Sequence, residues 1–469
     1  MTDSCVLIYA INRTDAWWRH VGDHLGFAKS VVVTDIRGAG DCDVVSAFYE
    51  EVRRQSRVSR PLFLDDAEVA DVIARCRLLR WLPRPLAMKM VRGMESAFDR
   101  VLTRVKPDIV VSFPIDRYVS DVLERLAHKR GIAYVELTAS LISGMSMLMY
   151  RGQLVSTGYE PSAGELAQRV DEIANPSFTP SYVQTSVRYT GARWLKTFAY
   201  FRLRGHVFKV ISWLKRDPLN LHYLDAQAFL GHKPRLKDRQ VLATFDWHWR
   251  DHLQRFPQER RVFFGLQLFP EASIDYWLAN RELIDYEDLV VDAAAAFSQA
   301  GWLVLVKDHP SQFGFRQHEL IDRLRALPHV VLVPYDVTGN EVMSLVGCNF
   351  TLTGTLGLQA ALNGLASVVT PTYYTTPDDF VLVRQRADVA GLPARLAQGH
   401  VITDLAARQR RVLAHLMQGS FVGDFFSFRG FRRESPPASV AALARELGRC
   451  LKFVLRTRGK PHAGTTTTA

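Results

Sequence analysis

Apolar positions along this chain form two alternating patterns. Short apolar runs at residues 5–11, 30–35, 108–113 and 132–137 predict strands buried on both faces. Between them, at 17–25, 68–79, 85–105 and 117–130, apolar residues recur every three or four positions, which predicts helices. Strands that alternate with helices predict a parallel sheet covered on both sides. The rhythm breaks over 163–255, which reads as helical, basic and aromatic with no convincing strand. It returns at 262–267 and continues through strand-like runs at 302–307, 330–333, 349–353 and 367–370, with helical stretches such as 286–301 between them. The pattern therefore predicts an α/β chain with Rossmann-like halves at 1–162 and 256–425, a helical connecting segment at 163–255, and a C-terminal segment at 426–469.

The last helical pattern is the cleanest. Val440, Leu443, Ala444, Leu447, Leu451 and Val454 share one face, opposite Arg445, Glu446, Arg449, Lys452 and Arg456. It predicts a surface helix that packs its stripe on a core, with membrane contact as the alternative. The terminal Gly-Thr-Thr-Thr-Thr-Ala is low in complexity and expected to be disordered.

Composition narrows the class. A chain of 469 residues that is 48% hydrophobic can bury a sizeable core in two domains. No run approaches the roughly 18 consecutive apolar residues of a membrane span. The first residues lack the basic start and cleavage site of a signal peptide. Five cysteines are scattered without a CxxC pair, which points to a reducing compartment and away from structural zinc. Lys and Arg number 59 against 48 Asp and Glu, a formal charge of +11, which suits nucleic acid, an anionic membrane or phosphorylated substrates. The excess is uneven: residues 188–216 hold eight Lys or Arg, no acidic residue and many aromatics. Apolar residues there run nearly all round a helical wheel, so burial and lipid contact both remain open.

The candidate chemistry sits at strand ends. In open parallel sheets ligands bind outside the carboxyl ends of the strands, where Gln267, Glu271, Lys307 and His309 fall. Lys307 and His309 lie two residues apart, on one face of a strand, so together they can neutralise a phosphate. Pro310 stops the strand and fixes the imidazole at its tip. Glu271 can accept from ribose hydroxyls or serve a helix N-terminus. Residues 349–360 read as strand, glycine turn and helix, so Thr353, Gly354 and Thr355 would offer hydroxyls and free N–H groups to a phosphate. An ordinary capping turn is the alternative.

These motifs carry a resemblance. Gln267 to Glu271, Lys307 to Pro310 and Gly354 to Ala360 resemble, in order and spacing, motifs of the bacterial capsular polysaccharide biosynthesis family, which includes retaining β-Kdo transferases. The likeness covers about 262–374; Gln359 stands where many relatives have Glu. The His-Pro motif with its hydroxyl-rich turn is also similar to bacterial sialyltransferases, which use CMP-activated sugars. The resemblance implies a GT-B-like fold, two Rossmann-like domains facing across a cleft, with the nucleotide on the C-terminal domain.

It further implies a glycosyltransferase that moves a sugar, Kdo or a related acidic sugar from a CMP donor, onto a capsule, lipopolysaccharide or other surface glycan. The N-terminal half should then supply the acceptor site and a catalytic carboxylate. Asp116 and Glu136 are the candidates, both near strand ends, with Asp35 a third. No Asp/Glu-Asp/Glu-Gly motif of the sialyltransferase kind is present, and the one DxD, Asp41-Cys42-Asp43, lies far from the expected nucleotide. Metal-independent chemistry without a cofactor is expected, Lys307, His309 and the 353–355 turn stabilising the leaving phosphate. Expected partners are the nucleotide-sugar donor, a glycan or glycolipid acceptor, an anionic membrane surface and other polysaccharide assembly proteins, not nucleic acid. The expected location is cytoplasmic, peripheral at the inner face of the membrane. The rival readings are a non-catalytic nucleotide-sugar-binding or export factor, and a UDP-sugar epimerase or UDP-dependent transferase.

Overall fold

A computed structural model describes residues 4–11, 14–54, 63–175, 178, 189–219, 235–269, 271–398, 404–425 and 437–458. The N-terminal half holds strands β1 (Cys5–Ala10), β2 (Lys29–Thr34), β3 (Cys42–Asp43), β4 (Ile109–Ser112), β5 (Ala133–Ala139), β6 (Met145–Tyr150) and β7 (Gln153–Leu154). The second half holds β8 (Arg261–Gly265), β9 (Leu303–Lys307), β10 (Val330–Val333), β11 (Cys348–Phe350), β12 (Ala366–Val369) and β13 (Val381–Leu382), and β14 (Ser420–Val422) follows.

Strand order identifies both halves. The first sheet runs β14-β6-β5-β4-β1-β2-β3, with β1 to β5 parallel, and the second runs β10-β9-β8-β11-β12-β13, all parallel. Each contains the Rossmann order 3-2-1-4-5, whose direction of winding reverses between β1 and β4 and again between β8 and β11. The strands are apolar on both faces because helices cover both. Along β1, Cys5, Leu7 and Tyr9 enter one core cluster while Val6, Ile8 and Ala10 enter the other. The expected α/β class with two Rossmann-like domains is therefore present.

The Met145-Ser-Met-Leu-Met-Tyr stretch, outside the predicted strands, forms β6 and pairs antiparallel with β5. It is poor in β-branched residues, the usual mark of a strand. The described residues of the connecting segment hold helices Ala163–Ile173 and Gly191–Leu214 and two 3-10 stretches, Leu236–Ala243 and Trp249–Arg255, with no strand among them.

The C-terminal part does not stand apart. Helix Leu405–Gln418 packs on the second domain, after which β14 adds antiparallel to β6 of the first sheet, before the expected boundary at 425. Helix Pro437–Thr457 then buries Val440, Leu443, Ala444, Leu447, Cys450 and Leu451 against Val6, Ile8 and Trp18. Its apolar stripe is thus spent on a core, and the membrane alternative for this helix falls. The terminal threonines lie outside the described residues. No helix among the described residues is long and apolar enough to cross a membrane.

Gly448 marks how closely this helix approaches. A Cβ there would lie 2.0 Å from the carbonyl oxygen of Leu25. Alanine gains about 1 kcal/mol in helix propensity, but overpacking against rigid backbone costs about 1–3 kcal/mol. Gly448→Ala should therefore lower the thermal unfolding midpoint, and a raised midpoint would contradict this packing.

Candidate functional site

At the reversal point of the second sheet, β8 and β11 part and leave backbone groups without ladder partners. Gln267 fills the gap. Its Oε1 accepts from the N–H groups of Leu352 and Thr353, both at 3.1 Å, and its Nε2 donates to Thr353 Oγ1 at 2.8 Å. The backbone of Gln267 is held in turn by the Tyr286 hydroxyl and the Arg316 guanidinium. Gln267 is therefore spent on joining two strand ends and positions Thr353, instead of facing a ligand as expected.

The helix Thr355–Leu362 starts at this junction with Gly354 as its N-cap and no side-chain cap. The threonine-capped turn is thus absent, and the positive helix end stays open to an anion. Glycine is required here for close approach. A Cβ on Gly354 would meet Thr351 Oγ1 at 2.6 Å, and one on Gly357 would meet Val369 Cγ1 at 2.5 Å. Gln359 lies one turn further on, buried, with its amide donating to the Phe178 carbonyl at 3.3 Å.

Lys307 closes β9 with its amine buried. Among the described residues its Nζ reaches only the Tyr335 carbonyl, at 3.4 Å, and lies 5.8 Å from the centre of that ring. No carboxylate pairs with it among the described residues, because the adjacent Asp308 is taken by Arg316 Nη2 at 2.7 Å and by the Tyr335 hydroxyl. Burial pulls the Lys307 pKa down to about 8, so the amine remains largely charged at neutral pH. His309 departs from the expected cationic pair. Its Nδ1 accepts from the Ser311 N–H at 3.1 Å, leaving the proton on Nε2. Burial, with Arg316 and Lys307 nearby, lowers its pKa further, so it acts as a neutral donor. Glu271 stands at the N-cap of the short helix Ala272–Asp275 without capping it and accepts from Ser273 Oγ at 3.0 Å. Burial raises its pKa against the opposing pull of Ser273 and Arg77. Pro270 of this motif lies outside the described residues.

The first sheet presents its own reversal point, between β1 and β4. Asp116 sits just beyond β4, with its carboxylate paired to Arg117 at 2.8 and 2.9 Å. Burial alone would raise its pKa, but the Arg117 guanidinium outweighs that and holds the carboxyl below its ordinary range. Asp35, beyond β2, shares this neighbourhood, and there burial wins and raises the pKa. Glu136 is different. It is 0% exposed, and its oxygens accept from the N–H groups of Arg151 at 2.7 Å and Ile115 at 3.4 Å. It lies beneath the loop that carries Asp116 and is closed to substrate, which corrects its reading as a catalytic carboxylate.

The two reversal points face one another. Arg77 donates to the Asp116 carbonyl at 3.3 Å, and its charge also acts on Glu271 and Asp275 of the second domain. Arg75 donates to the carbonyls of Asp275, Leu278 and Ala279, and Arg80 pairs with Asp275 at 2.8 Å. Arg77, Arg316, Tyr335 and Ser273 carry no local motif, so sequence reading missed them. A cavity of about 710 Å³ also opens between the domains, lined by Arg75, Arg125, Arg151, Tyr150, Trp277 and Asn280 among others, but by none of the candidate donor residues. Its Arg75, Arg125 and Arg151 are already paired with Asp71, Asp121 and Glu124, so strand-end chemistry is the better guide to the site.

One group of described residues has metal-ligand spacing: Asp238, His318 and Glu319. The Arg235 guanidinium already lies among them, 3.3 Å from both Asp238 Oδ1 and His318 Nδ1, so the cluster is an ion-pair network away from the crevice.

No family model matches the chain, and no curated protein matches it. Solved structures similar to it include the KpsC β-Kdo 2,7-transferase of Thermosulfurimonas dismutans, at 10% identity and TM-score 0.31, covering 75% of this chain and 89% of that one. Others are a UDP-forming α,α-trehalose-phosphate synthase from Burkholderia vietnamiensis, at 12% and 0.32, covering 97% and 99%, and a putative UDP-N-acetylglucosamine 2-epimerase from Listeria monocytogenes, at 11% and 0.26, covering 88% and 91%. Likenesses this distant say nothing of activity; the architecture stands on strand order.

Burial raises the Glu136 carboxyl from 4.5 to about 7. Its ionised form is the one the fold disfavours, so its stabilising contribution is complete below pH 4.5 and lost as pH rises to about 7. Relative to Glu136→Gln, the native chain should lose about 3 kcal/mol across that window in denaturant titrations. A difference independent of pH would place this carboxylate in water.

Proposed function

We propose that the chain is a glycosyltransferase that uses a nucleotide-activated sugar, with the donor bound at the ends of β8, β9 and β11. The observation that carries this reading is the pair of opposed reversal points, one offering an amine, an imidazole and an open helix end, the other an ionised carboxylate. A diphosphate or phosphodiester suits the first set: Lys307 supplies charge, His309 Nε2–H and the helix end supply directed hydrogen bonds. Glu271 is placed to accept from a ribose or sugar hydroxyl. Across the crevice, Asp116 is ionised at neutral pH, as a nucleophile at the anomeric carbon or an acceptor for an incoming hydroxyl requires.

The motif resemblance supports a CMP donor and Kdo or a related acidic sugar, transferred metal-independently to a capsule, lipopolysaccharide or other surface glycan. A lipid-carried acceptor would bring the enzyme to the inner face of the cytoplasmic membrane, beside other polysaccharide assembly proteins.

Thermal shift with CMP, UDP, GDP and ADP should show stabilisation by CMP. Stabilisation by UDP alone would move the donor to the UDP class, and no response to any would favour an assembly role. Lys307→Ala and His309→Ala should each weaken donor binding in calorimetry by about 1.5–3 kcal/mol, the cost of a lost charge-assisted hydrogen bond, with folding retained.

Asp116→Asn should abolish sugar transfer while nucleotide affinity stays native. Full turnover in that variant, measured by release of free nucleotide in the presence of acceptor, would remove Asp116 from the reaction.

A further inference from the structure

The connecting helix Gly191–Leu214 is apolar on two faces, and one of them is uncovered. On the covered face Trp194 is buried, Phe201 stacks on Phe315 at 4.4 Å, and Thr197 packs against Gly314. Tyr189, just before the helix, stacks on Tyr335 at 5.1 Å. At 100° per residue, Leu195, Leu203, Val207, Val210, Trp213 and Leu214 fall on the opposite side within an arc of about 120°. That side is open: Leu203 is 62% exposed, Trp213 75% and Leu214 65%. Arg202 and Lys209 border the arc, exposed Lys196 and His206 stand within it, and no acidic residue occurs from 188 to 216.

We propose that this outer face is a docking surface for an anionic lipid bilayer, on which the helix lies flat. The charge pattern selects this occupant. A bilayer with anionic headgroups accepts the apolar arc into its interface and the flanking cations at its surface. The lysine stem at 196 can lie along the arc and still extend its amine to the headgroups. Trp213 and the exposed Tyr200 have the amphipathic rings that favour this boundary. A helix of 24 residues gives a contact about 36 Å long. The covered face rests on the segment that follows Lys307 and His309, so docking would bring the donor side of the crevice close to the membrane. The proposal names the attachment surface for the location put forward above and needs neither donor nor acceptor, so its failure would leave the transfer reaction standing.

The test is flotation of the full chain with phosphatidylcholine vesicles, with and without phosphatidylglycerol, at low and high salt. Binding to anionic vesicles alone, lost at high salt, is expected. Arg202→Gln and Lys209→Gln should each weaken it about fivefold, the equivalent of about 1 kcal/mol per charge. Val207→Glu should weaken it by on the order of tenfold or more by placing a carboxylate in the apolar contact. Arg445→Gln on the C-terminal helix should leave it unchanged. Circular dichroism and nucleotide thermal shift verify that each variant folds. Equal recovery with neutral and anionic vesicles overturns the proposal, as does undiminished binding of all three outer-face variants. A dimer in sedimentation that Val207→Glu dissociates, without vesicle binding, overturns it in favour of a second copy of this chain.

Discussion

A parallel sheet whose winding reverses must leave backbone groups unpaired where the two central strands part, and this chain answers that constraint with buried side-chain acceptors. In the second domain Gln267 takes the N–H groups of Leu352 and Thr353. In the first, Glu136 on β5, one strand from the reversal, takes that of Ile115 beyond β4 and that of Arg151 in the turn after β6. An unpaired buried N–H costs about 1–3 kcal/mol, so each of these side chains secures the loop that shapes its crevice. Asp308 does similar work one strand over, binding Arg316, Tyr335 and the backbone of His309. The groups nearest the crevice therefore divide into those that hold the backbone and those left to meet a ligand. On the function proposed above, Lys307, Asp116, Glu271 and the Nε2–H of His309 form the second group, while His309 Nδ1 holds the Ser311 N–H.

That division was hidden in the sequence. The run Leu303-Val-Leu-Val-Lys307 declares a buried strand ending in a cation, and Gly354 with Gly357 declares a tight strand-to-helix turn. Both motifs lie where pattern reading put them, because strand ends follow from local periodicity. Gln267 and Glu136 satisfied the same strand-end rule, yet their roles depend on which distant N–H groups lack partners. Arg316 lies eight residues after Asp308 with no pattern joining them, and Arg77 earns meaning only when two domains meet. Short strands were illegible for a related reason: three residues of β14 carry no periodicity, so the return of the chain to the first sheet could not be read. The connecting helix shows the opposite effect. Its apolar residues cancel around the wheel because two faces have separate uses, one against Phe315 and one outward.

Electrostatics then sets what the crevice can hold. Asp116 is half-buried beside the buried Arg117, and a largely desolvated pair of this kind brings little net gain in stability. Its consequence is electrostatic: Arg117 holds the Asp116 carboxyl below its ordinary range against burial, whereas at Asp35 close by burial prevails and raises the pKa. Two carboxyls in one neighbourhood thus have their pKa values pushed in opposite directions by their partners.

Lys307 presents the converse case. Its amine is buried with no ion-paired carboxylate among the described residues, and burial outweighs the opposing pull of Asp308 and Asp336 to bring its pKa down to about 8. Replacing the neighbouring Asp308 contacts to pair it would release Arg316 and Tyr335, so the fold itself keeps this cation out of a direct ion pair with Asp308. An anion entering the crevice meets a charge already stripped of much of its water, which strengthens attraction relative to a solvated surface lysine. It would also raise the Lys307 pKa, so the amine contributes fully to anion binding below about pH 8 and that contribution is lost as pH rises above it. The neutral His309 adds direction without adding a second desolvated charge. The site therefore combines one strong cation with oriented neutral donors, an arrangement that favours an anionic group of defined shape over anions in general.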